Sequence, residues 1–146
     1  MPEQPGPADP QPEIDPQPEI ELPLDPADRE GILAASADYI ESWLDGDPDR
    51  MARCLHPELA KRSPSASSSP DLGRIESLTR DEMIAATGQG LGTRYARPWV
   101  ATLLDAYGDI ATVRLLSSVY VDYLHLVRSG GRWLIVNVLW QRRPGR

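Results

Sequence analysis

Residues 120–141, YVDYLHLVRSGGRWLIVNVLWQ, decide the fold. Ser129-Gly130-Gly131 marks a tight turn between two long runs rich in β-branched, aromatic and aliphatic residues, the signature of a β-hairpin. Side chains alternate along a strand. In the first run Tyr120, Asp122, Leu124 and Leu126 therefore point one way, and Val121, Tyr123, His125 and Val127 the other. In the second run Trp133, Ile135, Asn137 and Leu139 alternate with Leu134, Val136, Val138 and Trp140. Neither face is mainly polar, whereas a sheet with one wet face should alternate cleanly. The hairpin needs cover on both sides.

Working backward, the two-residue period extends to Trp99. It predicts four strands, at about 99–107, 109–118, 119–128 and 131–141, with a turn at Gly108-Asp109. Before them the period is helical. Asp25-Pro26 is a helix start, Leu33, Ala37, Ile40 and Leu44 form its apolar stripe with Ile32, Tyr39 and Trp43 beside it, and Gly46 ends it. Asp47-Pro48 starts a short second helix that stops at His56-Pro57, and Leu59 to Ser63 suits a short strand. Thr79 with Glu82 makes a capping box for a third helix, which ends at Gly88. Helices followed by an antiparallel meander define an α+β class.

Three helices can cover one face of a curved four-strand sheet. The other face would expose more apolar surface than a monomer usually tolerates, so a second copy packed sheet to sheet is expected.

The 146 residues suffice for one domain. Residues 1–28 hold eight of the 22 acids and no base, leaving 14 acids against 15 bases in the rest. A nearly neutral body argues against sequence-independent nucleic-acid binding. Residues 1–24 contain eight prolines and the tandem repeat DPQPEI at 9–14 and 15–20. Proline at this density blocks helix and sheet, so a disordered acidic arm is expected. It serves as a solubilising tail or as a two-copy docking motif built around Ile14 and Ile20. The domain then spans 25–143, with 144–146 as a short tail. SPSASSSP at 63–70 reads as a low-complexity loop. One cysteine, Cys54, excludes an internal disulfide. The first residues lack the basic and apolar regions of a signal peptide, and no apolar run reaches the roughly 18–20 residues of a membrane span. A cytoplasmic protein away from membranes is expected.

WLDGDPDRMARCLHPELAKR at 43–62, followed by VDYLHLVRSGGRWLIVN at 121–137, resembles the nuclear transport factor 2-like superfamily, and within it the SnoaL-like and putative lumazine-binding branch. The carrying pieces are the helix junction at 45–48, HP at 56–57, DYL at 122–124 and GRW at 131–133, and the resemblance spans about 28–143. It implies a cystatin-like cone, a curved sheet wrapped around a long helix, with a pocket at the wide end and frequent dimerisation through the outer sheet face. It implies no single chemistry. Members include cofactor-free isomerases, dehydratases and cyclases as well as non-catalytic binders, so function must come from the site. The chain departs from typical relatives at 63–74, where a strand hairpin is common and this sequence offers mostly Ser and Pro. That loop either lids the cone mouth or leaves it open.

Asp122 is the first candidate for chemistry. It shares a face with Leu124 and Leu126, and a carboxyl on an apolar wall titrates high enough to act as acid or base near neutrality. The alternative is an Asp that only orders the fold. His56, leaving the second helix at the base of the cone, is the second candidate, with a packing histidine as its alternative. Tyr39, Trp43, Tyr120 and Asn137 are candidate pocket-lining residues. Lys61 and Arg62 adjoin in a strand, so only one faces inward, and an inward cation would favour an anionic ligand; a solvated edge strand is the other reading. His125 falls on the outer face. Two histidines and one cysteine make no convincing metal site, and GQGLG at 88–92 lacks the context of a dinucleotide loop. No cofactor is expected. The partner expected is a small hydrophobic, cyclic or polyketide-like molecule, either turned over by proton transfer or only bound.

Overall fold

The computed structural model describes residues 24–64 and 75–145, together with positions 4 and 6. Apart from positions 4, 6 and 24, the acidic arm and its repeat lie outside the described residues, as do residues 65–74 of the expected loop and the last residue of the expected C-terminal tail. The chain runs α1 (Pro26–Asp45), α2 (Pro48–Cys54), β1 (Leu55–Pro64), β2 (Ile75–Thr79), α3 (Arg80–Gly88), β3 (Val100–Tyr107), β4 (Ile110–Leu116), β5 (Tyr120–Ser129) and β6 (Arg132–Arg142).

The helix ends are those the capping residues specify. Asp25 accepts from the Ala27 N–H at 2.9 Å, Asp47 accepts from the Arg50 N–H at 3.1 Å, and Gly46 closes α1 at φ 68°. Thr79 and Glu82 form both bonds of the capping box on α3. The buried stripe of α1 differs from the expected one. Ile32, Ala35, Ser36, Tyr39 and Ile40 are buried, while Leu33 and Ala37 are only partly so. Ser36 fits this interior because its hydroxyl bonds back to the Ile32 carbonyl at 2.9 Å.

The sheet has six strands in the order β2-β1-β6-β5-β4-β3, not four, and it is mixed, not antiparallel throughout. β1 pairs parallel with β6 and antiparallel with β2; the remaining pairs are antiparallel. Pro57 masked the length of β1, because proline donates no ladder bond. The strand tolerates it at an irregularity between Leu55 and Ala60, where its register with β6 shifts. β2, with Glu76 and Ser77 exposed, carries little apolar signal, yet it pairs antiparallel with β1, where the Ser- and Pro-rich composition of 63–74 gave no sign of a strand hairpin.

A second irregularity decides the two faces of the hairpin. Leu126 pairs with Ile135 and His125 pairs with Asn137, so Val136 is an extra residue in β6. A bulge of this kind reverses the alternation beyond it. Trp133 and Ile135 are buried before it, and Val138 after it, while Asn137 and Leu139 are exposed. β5 has no such break, and Asp122, Leu124 and Leu126 are all buried. α1 covers this inner face, and the core gathers Ile32, Tyr39, Ile40, Met51, Leu115 and Leu124 among others.

Candidate functional site

The inner face ends in a cavity of about 300 Å³. Its floor holds Asp122 from β5 and Lys61 from β1, and Tyr39 and Trp43 approach it from α1. Tyr120 and Trp140 form the sheet-side wall, and Arg94, Tyr95 and Arg142 stand at the rim.

Asp122 is 3 % exposed, and Leu115 and Trp140 are its cross-strand neighbours. Burial raises its pKa to about 6, and the charge of Lys61 holds back a further rise. Lys61 lies inward because β1 alternates through Leu59, Lys61 and Ser63, all buried, with Arg62 outward. Its Nζ donates to Tyr39 Oη at 2.7 Å and lies 5.2–5.7 Å from the ring centroids of Tyr39, Trp43 and Trp140. Three aromatic faces partly replace the water that a buried ammonium loses. Desolvation lowers the Lys61 pKa, and the Asp122 charge opposes that. Burial drives Tyr39 well above the ordinary phenol value, so its hydroxyl stays protonated.

Tyr120 packs edge-on against Trp140 at 5.3 Å and against Tyr95 at 5.5 Å. The Arg94 guanidinium lies 5.0 Å from the Tyr95 ring centre and donates to its hydroxyl at 2.9 Å. The Arg142 guanidinium lies 5.9 Å from the same ring and 6.0 Å from that of Tyr120.

Of the residues picked from sequence, Asp122, Tyr39, Trp43 and Tyr120 meet in this cavity. His56 and Asn137 do not line it. His56 sits at the irregular start of β1, where its Nδ1 accepts the Glu58 N–H at 3.0 Å; the ring folds back onto its own strand. Asn137 is carried to the outer face by the Val136 bulge, and its Nδ2 lies 3.5 Å from His125 Nδ1. Lys61, for which an inward cation and a solvated edge residue were the two readings, is the floor cation, and the Leu59-Lys61-Ser63 alternation is the signal that decides between them. Arg94, Tyr95, Trp140 and Arg142 were not singled out as pocket residues. Among the described residues no cluster of His, Cys, Asp and Glu is arranged to hold a metal ion.

A long helix laid across the inner face of the sheet, with a polar floor under an open rim, is the arrangement of the nuclear transport factor 2-like superfamily. Solved structures agree at the level of the fold. An NTF2-like protein of unknown function from Silicibacter pomeroyi DSS-3 is similar at TM-score 0.65 and 18 % identity, over 79 % of this chain and 95 % of that one. An NTF2-like protein of unknown function from Methylobacillus flagellatus KT is similar at TM-score 0.66 and 17 % identity, over 84 % and 97 %. A ketosteroid isomerase-like protein from Erwinia carotovora atroseptica SCRI1043 is similar at TM-score 0.54 and 14 % identity, over 77 % and 94 %. No curated protein sequence matches the chain significantly. Residues 27–141 match the family described as "Putative lumazine-binding", and the chain belongs to that family.

Proposed function

We propose that this protein binds a small hydrophobic, cyclic or polyketide-like molecule and moves a proton on it without a cofactor, as an isomerase, cyclase or dehydratase does. The observation that carries this reading is the Asp122 carboxyl, buried at the floor of the cavity beside Lys61 and Tyr39. A carboxyl that ionises near pH 6 is largely a base at pH 7 and readily regains its proton. It would take a proton from carbon next to a carbonyl. The Lys61 ammonium, with one donor left beyond those given to Tyr39 and, weakly, to Met83 Sδ, would meet the oxygen that becomes negative. The similarity to a ketosteroid isomerase-like protein is compatible with such chemistry and carries only the fold. The family description names lumazine, and the Trp and Tyr walls suit a flat ring without selecting that one.

The test is deuterium exchange. Cyclic ketones incubated with the protein in D2O should gain deuterium next to the carbonyl, followed by NMR. Asp122→Asn should slow that exchange about 100-fold or more. Wild type no faster than D122N would favour a second reading, a non-catalytic ligand binder. The placement of His56 outside the cavity favours that second reading, because it removes the second proton-transfer group expected from the sequence.

The same proposal includes a two-fold pairing through the outer sheet face. Val100, Tyr107, Ile110, Tyr123 and Leu139 are 43–59 % exposed there, more apolar surface than an isolated subunit usually shows. Sedimentation should give a dimer at micromolar protein, and Leu139→Glu should shift it to a monomer; a wild-type monomer would refute the pairing. The buried free thiol of Cys54 suits a reducing compartment such as the cytoplasm. Among the described residues no helix is long and apolar enough to cross a membrane.

A further inference from the structure

The chain holds 15 basic residues, and Lys61 is its one lysine; the other 14 are arginines. An arginine keeps its charge in any protein setting, whereas a buried lysine can give up its proton and become a nucleophile. That lysine lies on the floor of the cavity, 9 % exposed, with the Asp122 carboxyl lining the same floor. Among the described residues no carboxylate forms an ion pair with it. The three rings around it ease its charge without neutralising it. Its Nζ donates to Tyr39 Oη at 2.7 Å and weakly to Met83 Sδ at 3.7 Å, which leaves one position on the nitrogen uncommitted. On a neutral amine that keeps both bonds, this position is the lone pair. Burial lowers Lys61 and raises Asp122, so passing a proton from the ammonium to the carboxylate costs far less here than in water. The result is a free amine facing the same space as a carboxylic acid, the two groups that imine formation needs.

We infer that Lys61 forms a covalent imine with the carbonyl carbon of a compact aldehyde or ketone, and that Asp122 carries the protons of that step. The inference rests on the reading above for the carbonyl ligand and makes its Lys61 contact covalent. The Nζ lone pair adds to the carbonyl carbon, and the π pair moves to the oxygen, which takes the Asp122 proton. The nitrogen then returns a proton to the Asp122 carboxylate. Asp122 gives that proton to the new hydroxyl, which leaves as water while the nitrogen lone pair closes the C=N bond. One C=N bond replaces one C=O bond, one water is released, and nothing is oxidised or reduced. The protonated imine draws electrons from the neighbouring carbon, so the Asp122 carboxylate can take a proton there. Water adding back to the C=N bond reverses the sequence and frees the amine.

The test uses the full chain at neutral pH with cyanoborohydride, which reduces an imine and fixes it as a stable amine. The probes are benzaldehyde, cyclohexanone and 2-acetylnaphthalene. Intact mass should rise by the mass of the probe less one oxygen, and peptide mapping should place that label on Lys61, apart from any on the N-terminal amine. An exposed lysine is almost wholly protonated at neutral pH. Labelling of Lys61 by at least one probe should therefore run about tenfold or more faster than labelling of free Nα-acetyllysine. Asp122→Asn should slow it at least about tenfold. Lys61→Arg keeps a cation on the floor but cannot form the imine, and it should lose the deuterium exchange described above. The inference is overturned if all three probes leave Lys61 unlabelled or label it no faster than the free amine, and this wild-type result decides even if Lys61→Arg fails to fold. Deuterium exchange that survives in Lys61→Arg also overturns it and leaves the proton-transfer reading standing. A protein that neither takes label at Lys61 nor exchanges deuterium into ketones removes both.

Discussion

Asp122 and His125 stand three residues apart on one strand, and their surroundings share almost nothing. Asp122 faces a wall of Leu115, Leu124 and Trp140 under a helix, is 3 % exposed, and is pushed to titrate near pH 6. His125 faces outward between its cross-strand neighbours Thr112 and Asn137, with Asn137 Nδ2 3.5 Å from its Nδ1. The parity of a strand therefore sets more than direction. It decides whether a polar group keeps its water or has it replaced by rings, an ammonium and a phenol. Only in the second case is its proton held at an energy useful for chemistry. The outer face sets polar groups among exposed apolar ones, as suits a surface to be covered, whereas the inner face buries Asp122, Lys61 and Tyr39 together and shifts all three.

The largest test of this contrast is truncation on each face. Leu124 is fully buried and Leu139 is 56 % exposed. Leu124→Ala should cost about 2–5 kcal/mol, the transfer and cavity cost of a core leucine. Leu139→Ala should stay within about 0.5 kcal/mol when urea unfolding is measured on the isolated subunit. Equal losses would mean that the two faces are not the distinct environments their exposures indicate.

The next effect is electrostatic. The folded protein holds the Asp122 proton up to about pH 6, while the unfolded chain releases it near the ordinary carboxyl value of 3.8. Between those pH values the folded state binds more protons, so unfolding free energy falls as pH rises through the window and is flat above it. The drop attributable to Asp122 is about 3 kcal/mol. D122N should lose this slope, measured as the difference between the two proteins' stability-against-pH curves. Lys61→Met should move the Asp122 midpoint upward in a carboxyl NMR titration, because the charge that favours the carboxylate is gone. A midpoint near 4 in wild type would mean that burial does not hold this proton.

What was legible in the sequence follows from the same physics. Helix ends were readable because Asp25, Asp47, Thr79 and Gly46 each perform a local job that needs no distant partner. β5 was readable because nothing interrupts its alternation, and it delivered Asp122 to the correct face. β6 was misread beyond Val136, because a bulge is a pairing event between two strands and leaves no mark in the composition of one. The Asn137 assignment was lost with it. β1 was shortened by Pro57, and the inward reading of Lys61 ranked behind the solvated one, since a lysine in a strand is most often solvated. Only tertiary contacts with Tyr39, Trp43 and Trp140 show why this one is not. The rim pair lies furthest from the reach of sequence. Arg94 is the last residue of the turn segment 89–94 and Arg142 ends β6, and no periodicity joins them.

That segment supplies the smallest and most local test. GQGLG at 88–92 resembles no nucleotide loop in context, and the structure gives its last glycine another task. Gly92 is buried against Trp43, where an added Cβ would lie 2.5 Å from the Trp43 carbonyl oxygen, a backbone atom that cannot rotate away. Gly108 and Gly130, in the hairpin turns, have open space at the same position. The close approach brings the segment that ends in Arg94 and Tyr95 down onto the helix that carries Trp43. Gly92→Ala should therefore cost about 1–3 kcal/mol of stability by overpacking. It should also shift the tryptophan emission, since Trp43 would have to give way and one wall of the cavity with it. An unchanged spectrum and unfolding midpoint would show that the rim reaches its place without this contact.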